Sequence, residues 1–112
     1  MSAVILHGFW RSSSAQRVRI ALAIKGVAYT RRPVHLGKRE HLTAAFLADH
    51  PEGQVPVLEV GDLRLTQSVA ILQFLERTWP EPPLFPRDRL ANAQVWELVE
   101  RINSFVQPCL LY

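Results

Sequence analysis

Short apolar runs, separated by glycine, proline and hydroxyl residues, divide the first eighty positions into an alternating series of elements. Val4-Ile5-Leu6 reads as a strand, and Val18, Ala21, Leu22 and Lys25 follow a helical spacing that Gly26 can terminate. Tyr29 to Leu36 reads as a second strand, and Pro33, which has no N–H to give to a ladder, places it at an edge or a strand end. Glu40 to Ala48 shows a modest helical face in Leu42, Ala45 and Phe46, stopped by Pro51 and Gly53. Val55 to Val60 and Leu63 to Leu65 form two strands around Gly61-Asp62, a two-residue hairpin signal. Ser68 to Trp79 then places Val69, Leu72 and Leu75 or Glu76 on one side of a helix. The order predicts an α/β unit with a βαβ start and a ββα finish. A mixed sheet with helices on both faces is the natural packing, since a lone pair of strands cannot bury its apolar side.

The pattern breaks at Pro80 to Pro86, where four prolines in seven residues rule out a helix and predict a semi-rigid, extended linker. Asp88 to Phe105 then carries Leu90, Ala93, Val95, Leu98, Val99, Ile102 and Phe105, a fresh amphipathic helix with little left to pack on. The organisation expected is a unit over 1–80, a linker over 81–86 and the start of a helical region over 87–112.

Composition narrows the function classes. A chain of 112 residues, 48% of them hydrophobic, has room for one core. No apolar run approaches the roughly 20 residues of a membrane span, and the N-terminus lacks the apolar core of a signal peptide. The single Cys109 cannot form an internal disulfide, so a reducing, cytoplasmic compartment and a buried, inert thiol are expected. The net charge of +3 is unevenly spread, with eight Lys/Arg and two Asp/Glu in residues 1–50 against five and eight in residues 51–112. A basic first half suits a small anionic ligand. Nucleic acid is not expected, because the arginines form no continuous tract and no recognition motif accompanies them.

The candidate chemistry sits between the first strand and the first helix, in Phe9-Trp10-Arg11-Ser12-Ser13-Ser14-Ala15-Gln16-Arg17-Val18-Arg19. Three hydroxyls fall at or just before a helix N-terminus, where unpaired N–H groups and the macrodipole favour an anion or a thiolate. The alternative is one serine as N-cap and the others as loop filler. Gln67 and Ser68 stand at a second helix start, where a hydroxyl and free N–H groups can clamp a carboxylate or simply cap the helix. His7, His35, His41 and His50 show no metal-ligand spacing, so no metal is expected.

In three places and in the right order, the chain resembles the N-terminal, thioredoxin-like domain of glutathione transferases, nearest the zeta class with its maleylacetoacetate isomerases. These places are Ser12-Ser13-Ser14 with Arg17-Val18-Arg19, Gly53-Gln54-Val55-Pro56-Val57-Leu58, and Leu65-Thr66-Gln67-Ser68-Val69-Ala70-Ile71-Leu72. The resemblance implies the thioredoxin-like fold, followed by the first helix of an all-helical second domain that this chain holds only in part. It implies glutathione as co-substrate, a small electrophile as its partner and a homodimer. It selects Ser12 as the hydroxyl on the glutathione thiolate, with Ser13 its rival and Arg17 a source of positive field. It assigns Ser14, His41, Val55, Pro56, Gln67, Ser68 and Gln107 to glutathione binding, with the Val55–Pro56 bond cis. A redox role is ruled out independently, because disulfide exchange needs two cysteines where Ser12 to Ala15 stand.

The chain also departs from the family pattern. Ser14 replaces the usual cysteine, Gln16 the usual aromatic, and Leu110-Leu111-Tyr112 the polar residues that follow Gln107-Pro108. Two functions are therefore carried forward: a zeta-like transferase or isomerase, and a non-catalytic thioredoxin-like module that binds glutathione or a protein.

Overall fold

The computed structural model describes residues 3–106; Gln107, Pro108, Cys109 and Leu110-Leu111-Tyr112 lie outside the described residues. Strand β1 (Val4–Gly8) leads into α1 (Ser13–Lys25) and then into β2 (Thr30–Pro33). Two short 3₁₀ turns, Leu36–Lys38 and Glu40–Leu42, precede α2 (Ala44–Asp49). The hairpin β3 (Val57–Val60) and β4 (Leu63–Thr66) leads into α3 (Ser68–Thr78), and α4 (Arg89–Arg101) follows the proline-rich segment. The four strands form one mixed sheet in the order β2-β1-β3-β4, with β1 parallel to β2 and antiparallel to β3. This is the expected βαβ–ββα order. No helix among the described residues is long and apolar enough to cross a membrane.

Sheet pairing sorts the side chains by face. Val4 and Leu6 of β1 pair with Val60 and Leu58 of β3, and these four point toward α1 and α3. Val18, Ala21 and Leu22 from α1 meet Ile71 and Leu75 from α3 over this face, and Leu22, Leu58, Ile71 and Leu75 are fully buried. Each such aliphatic side chain contributes about 1.5–3 kcal/mol by leaving water. Gly26 closes α1 in the left-handed conformation, φ 68°, and its N–H bonds back to the Ala23 carbonyl while that of Val27 reaches Leu22. Only glycine adopts that geometry without strain.

Three expected boundaries and one apolar face need correction. The second strand is shorter than Tyr29 to Leu36 and wholly exposed, as an edge strand ending on Pro33. The helix expected over Glu40 to Ala48 is broken at Thr43, whose extended backbone (ψ 151°) lets its hydroxyl cap Phe46 N–H at 3.3 Å. Capping wins there because a threonine side chain competes for the backbone groups that a continuous helix needs. The third strand starts at Val57, since Pro56 has no N–H for a ladder. The buried stripe of α3 is Ser68, Ile71 and Leu75; of the expected face, Leu75 is fully buried and Leu72 packs against the core, while Ser68 and Ile71 take the place of Val69.

The proline-rich segment is tied down. The Lys25 side chain, wholly removed from solvent, donates to Glu76 Oε1 at 2.5 Å and to the Pro82 carbonyl at 2.6 Å. Glu76 in turn accepts from the Leu84 N–H at 3.0 Å and the Phe85 N–H at 2.9 Å. Leu84 packs on the core, and Phe85 stacks on Trp96 of α4 with ring centroids 4.6 Å apart. The segment is an anchored strap between α3 and α4. Helix α4, capped by Asp88, buries none of its residues, and Leu90 and Leu98 stay exposed.

The opposite face of the sheet carries polar groups. His7 bonds Glu59 at 2.9 Å, and His50, the C-cap of α2, stands 3.7 Å from the same carboxylate oxygen. Burial pushes the Glu59 carboxyl up, but the His7 hydrogen bond and the charges of His7, Arg64 and His50 outweigh it and hold the group below the usual carboxylate range. Burial, and then the like charge of His7, lowers His50 from its ordinary value.

Glu76 generates a stability prediction. Burial alone would raise its carboxyl, yet the Lys25 ammonium and the Leu84 and Phe85 amides hold it below the usual carboxylate range. A folded-state value below the unfolded one means stability that is present at neutral pH and lost as pH falls below about 4.3. Glu76→Gln should therefore flatten the acid limb of a melting-temperature profile taken between pH 3 and pH 6, values that bracket the usual carboxylate range of about 4. Lys25→Met, which leaves the carboxylate without its cation, should cost about 2–4 kcal/mol in urea unfolding at pH 7.

Candidate active site

Ser12 sits between β1 and α1, where its extended backbone makes it the N-cap. Its Oγ accepts the Ala15 N–H at 3.2 Å and its own N–H is held by the Phe9 carbonyl at 2.9 Å. An oxygen used as acceptor keeps its hydroxyl proton to donate. Ser12 is only 1% exposed, yet it lines the floor of a cavity of about 430 Å³ with Ser14, Leu36, His41, Gly53, Gln54 and Val55. Ser13, the first residue of α1, is half-buried and lines neither of the cavities described here.

A second cavity of about 320 Å³ adjoins the first and shares Ser14, Gln54 and Val55 with it. Its other walls come from Arg17, Pro56, Thr66, Gln67, Ser68, Val69 and Asn103. The two form one groove across the ends of α1 and α3. Val55 stands where they meet, and its bond to Pro56 is cis, as expected. Backbone groups just before β3 can pair with an extended ligand in the manner of an added strand.

The α3 end of the groove is built around Arg17. Its Nη1 donates to Ser68 Oγ at 3.1 Å and to Asn103 Oδ1 at 2.8 Å, joining α1, α3 and the wider helical turn Ile102–Val106 that continues α4. Burial lowers its guanidinium from the ordinary value. The structure thus groups Arg17 with Ser68 at the far end of the groove. Gln67, the N-cap of α3, is exposed and has φ 70° and ψ 113° with no side-chain cap bond.

His41 borders the Ser12 end, and its Nδ1 is buried without a hydrogen-bond partner among the described residues. Buried polar atoms are nearly always paired, so an orphan at a cavity wall marks a place for a ligand atom. Gly53 belongs to the same wall at φ 60°, where an added Cβ would stand 3.0 Å from Leu47 Cδ2 and 3.2 Å from the His41 carbonyl. The wall is further braced by Thr66, whose hydroxyl donates to Glu52 at 2.9 Å. Sequence reasoning missed Gln54, Thr66 and Asn103. Gln54 lay inside a quoted motif, but Asn103 has no local signal because its partner is 86 positions away. Gln107 falls outside the described residues.

The arrangement aims two helix N-termini and one guanidinium into a single groove, which suits a ligand with an anion at each end. Positive φ at Gln67 stores strain that a β-branched residue would increase and glycine would relieve. Gln67→Val should therefore be less stable than Gln67→Gly by about 1–3 kcal/mol in urea unfolding, a range set by the cost of one strained backbone position.

A family model for the N-terminal domain of glutathione S-transferases matches residues 2–77. Among curated proteins, the chain is 44% identical over 103 residues to the maleylpyruvate isomerase of Ralstonia sp, covering 92% of this chain and 49% of that protein. It is 43% identical over 103 residues to glutathione S-transferase Z1 of Arabidopsis thaliana, covering 92% of this chain and 47% of that protein. Among solved structures, holo maleylpyruvate isomerase, described as a bacterial zeta-class glutathione S-transferase, superposes with a TM-score of 0.89 at 43% identity, over 93% of this chain and 49% of that one. A maleylacetoacetate isomerase from Anaeromyxobacter dehalogenans with glutathione bound in its active site gives 0.82 at 46% identity, over 96% and 53%. The chain spans about half the length of these relatives. With residues 2–77 matched by that model, the chain belongs to the glutathione S-transferase N-terminal domain family.

Proposed function

We propose that this chain is the glutathione-binding part of a zeta-like transferase that performs cis–trans isomerisation of a maleyl-type substrate such as maleylacetoacetate. The observation that carries this reading is the continuous groove from Ser12 to the Arg17–Ser68–Asn103 group, passing Val55. Relatives named as maleylpyruvate and maleylacetoacetate isomerases support the choice of reaction. In this reading the protein works in the cytoplasm as a homodimer whose helical region supplies the electrophile site, and its reaction requires no metal.

Glutathione lies with its cysteinyl sulfur at Ser12 and its γ-glutamyl end at Ser68. Ser12 donates its hydroxyl proton to the thiolate, while the α1 dipole adds positive potential at a hydroxyl that is itself buried. Ser14, in the first turn of α1, lies beside the sulfur, and Ser13 is the alternative donor. Val55 pairs its backbone with the cysteinyl residue, with Pro56 fixing the strand end. Ser68, Gln67 and Arg17 hold the glutamyl carboxylate, and His41 uses its unpaired Nδ1 at the glycyl end. Gln107 is carried as a further contact.

The thiolate then adds to one carbon of the cis double bond, forming a C–S bond as the π electrons move onto the conjugated carbonyl. Rotation about the resulting single bond and expulsion of the thiolate give the trans isomer. No atom is gained or lost, and the thiolate is regenerated.

The test separates thiolate stabilisation from tripeptide binding. Ser12→Ala should raise the pKa of bound glutathione by about one to two units, the value of one charge-assisted hydrogen bond, with affinity nearly intact. Ser68→Ala should weaken affinity by about tenfold with little change in that pKa. Thiolate absorbance titration beside calorimetry reads both. An unchanged pKa in Ser12→Ala with a raised one in Ser13→Ala moves the donor by one residue, and no change in either removes thiolate activation from this loop.

A further inference from the structure

Three metal-competent groups from distant parts of the chain meet on the sheet face turned away from the main core. His7 on β1 pairs with Val57, so Glu59, two residues further along β3, is its diagonal neighbour on the same face. His50, the C-cap that follows α2, reaches the same face beside Glu59. His7 Nε2 lies 2.9 Å and His50 Nε2 3.7 Å from Glu59 Oε1, and the three ligand atoms are all within 4.8 Å of one another.

We propose that His7 Nε2, His50 Nε2 and Glu59 Oε1 form a binding site for a divalent transition-metal ion, zinc above all. Tetrahedral ligands with bonds of ~2.0–2.1 Å stand about 3.3 Å from one another, so small side-chain rotations bring these three atoms into place. Two imidazoles and one carboxylate suit zinc, whereas magnesium and calcium select oxygen-only shells. The ligands are also preorganised. Both histidines are buried, their rings lie 4.9 Å apart, and Phe46 packs against His50 at 4.7 Å and His7 at 6.3 Å between centroids. That apolar wall limits ring rotation and keeps bulk water from one side of the ion.

The charged groups around the site set its affinity. Asp49, adjacent to His50 in sequence, adds attraction for a cation, and Arg64 opposes it, with Nε 3.5 Å from Glu59 Oε1. Arg64 is directly opposite Glu59 in the β3–β4 register, and its side chain is 51% exposed, so it can swing clear when an ion binds. An ion here ties the end of α2 to β1 and β3. The loop that follows α2 supplies Glu52, Gly53 and Gln54 to the groove wall, so the metal braces that wall from behind.

The experiment titrates chelator-treated protein, without glutathione, with zinc by calorimetry and with cobalt(II) by visible absorbance at neutral pH. One ion per chain and the intense visible bands of tetrahedral cobalt(II) are expected. His50→Asn and Glu59→Gln, checked for native folding by circular dichroism, should each weaken zinc by about a hundredfold. His35→Asn should leave it unchanged, and Arg64→Ala should tighten it severalfold, which a purely structural hydrogen-bond cluster would not do. Absence of one-to-one binding, or zinc affinity that survives both His50→Asn and Glu59→Gln in folded protein, would overturn the site.

Discussion

The Glu76 carboxylate is the point on which the arrangement of the chain depends. It gathers a buried ammonium from α1 and two backbone amides from the strap after α3, and so fixes where the chain turns toward α4. A carboxylate in this position is costly to bury alone, and three donors offset that cost. Stacking of Phe85 on Trp96 then seats α4 on the strap. The turn beyond α4 carries Asn103 to the Arg17 guanidinium, and Arg17 in turn holds Ser68. A polar network remote from the groove thereby determines the shape of one of its ends.

The groove draws its chemistry from local backbone geometry. Helices α1 and α3 both begin at the end of the sheet where β1 and β4 finish, so their positive dipole ends converge without any concentration of basic side chains. Ser12 is nearly closed to solvent and Arg17 is half-buried, so a hydrogen bond to an anion there is stronger than at an open surface. Strain at Gln67 and the unpaired Nδ1 of His41 both fall on the groove, where departures from ordinary satisfaction are expected of a binding site.

Element order was legible because its signals are local. Gly26, Gly61-Asp62 and the proline cluster act on the residues beside them, and the structure places turns or ends at each. Ser12, Pro56 and Ser68 were legible through the family resemblance, since each stands at a helix or strand start that the pattern marks. Thr43 was not, because its hydroxyl competes with a helix that the apolar spacing alone supports. Arg17 was expected as a source of positive field, but its pairing with Ser68 and Asn103 was hidden, because these are 51 and 86 positions away. The grouping of His7, His50 and Glu59 was hidden for the same reason: spacing rules detect ligands on one element, whereas sheet register and a helix end assemble these three.

The central claim is that one groove holds the whole tripeptide, with sulfur at Ser12 and the glutamyl end at Ser68. Amide chemical-shift mapping with glutathione tests it most directly, with free glutamate as the comparison ligand. Glutathione should shift Ser12, Ser14, Val55, Ser68 and Asn103 together with a single affinity, and glutamate should shift only Ser68, Asn103 and their neighbours. Shifts confined to one end with intact glutathione, or centred away from both helix N-termini, would contradict it.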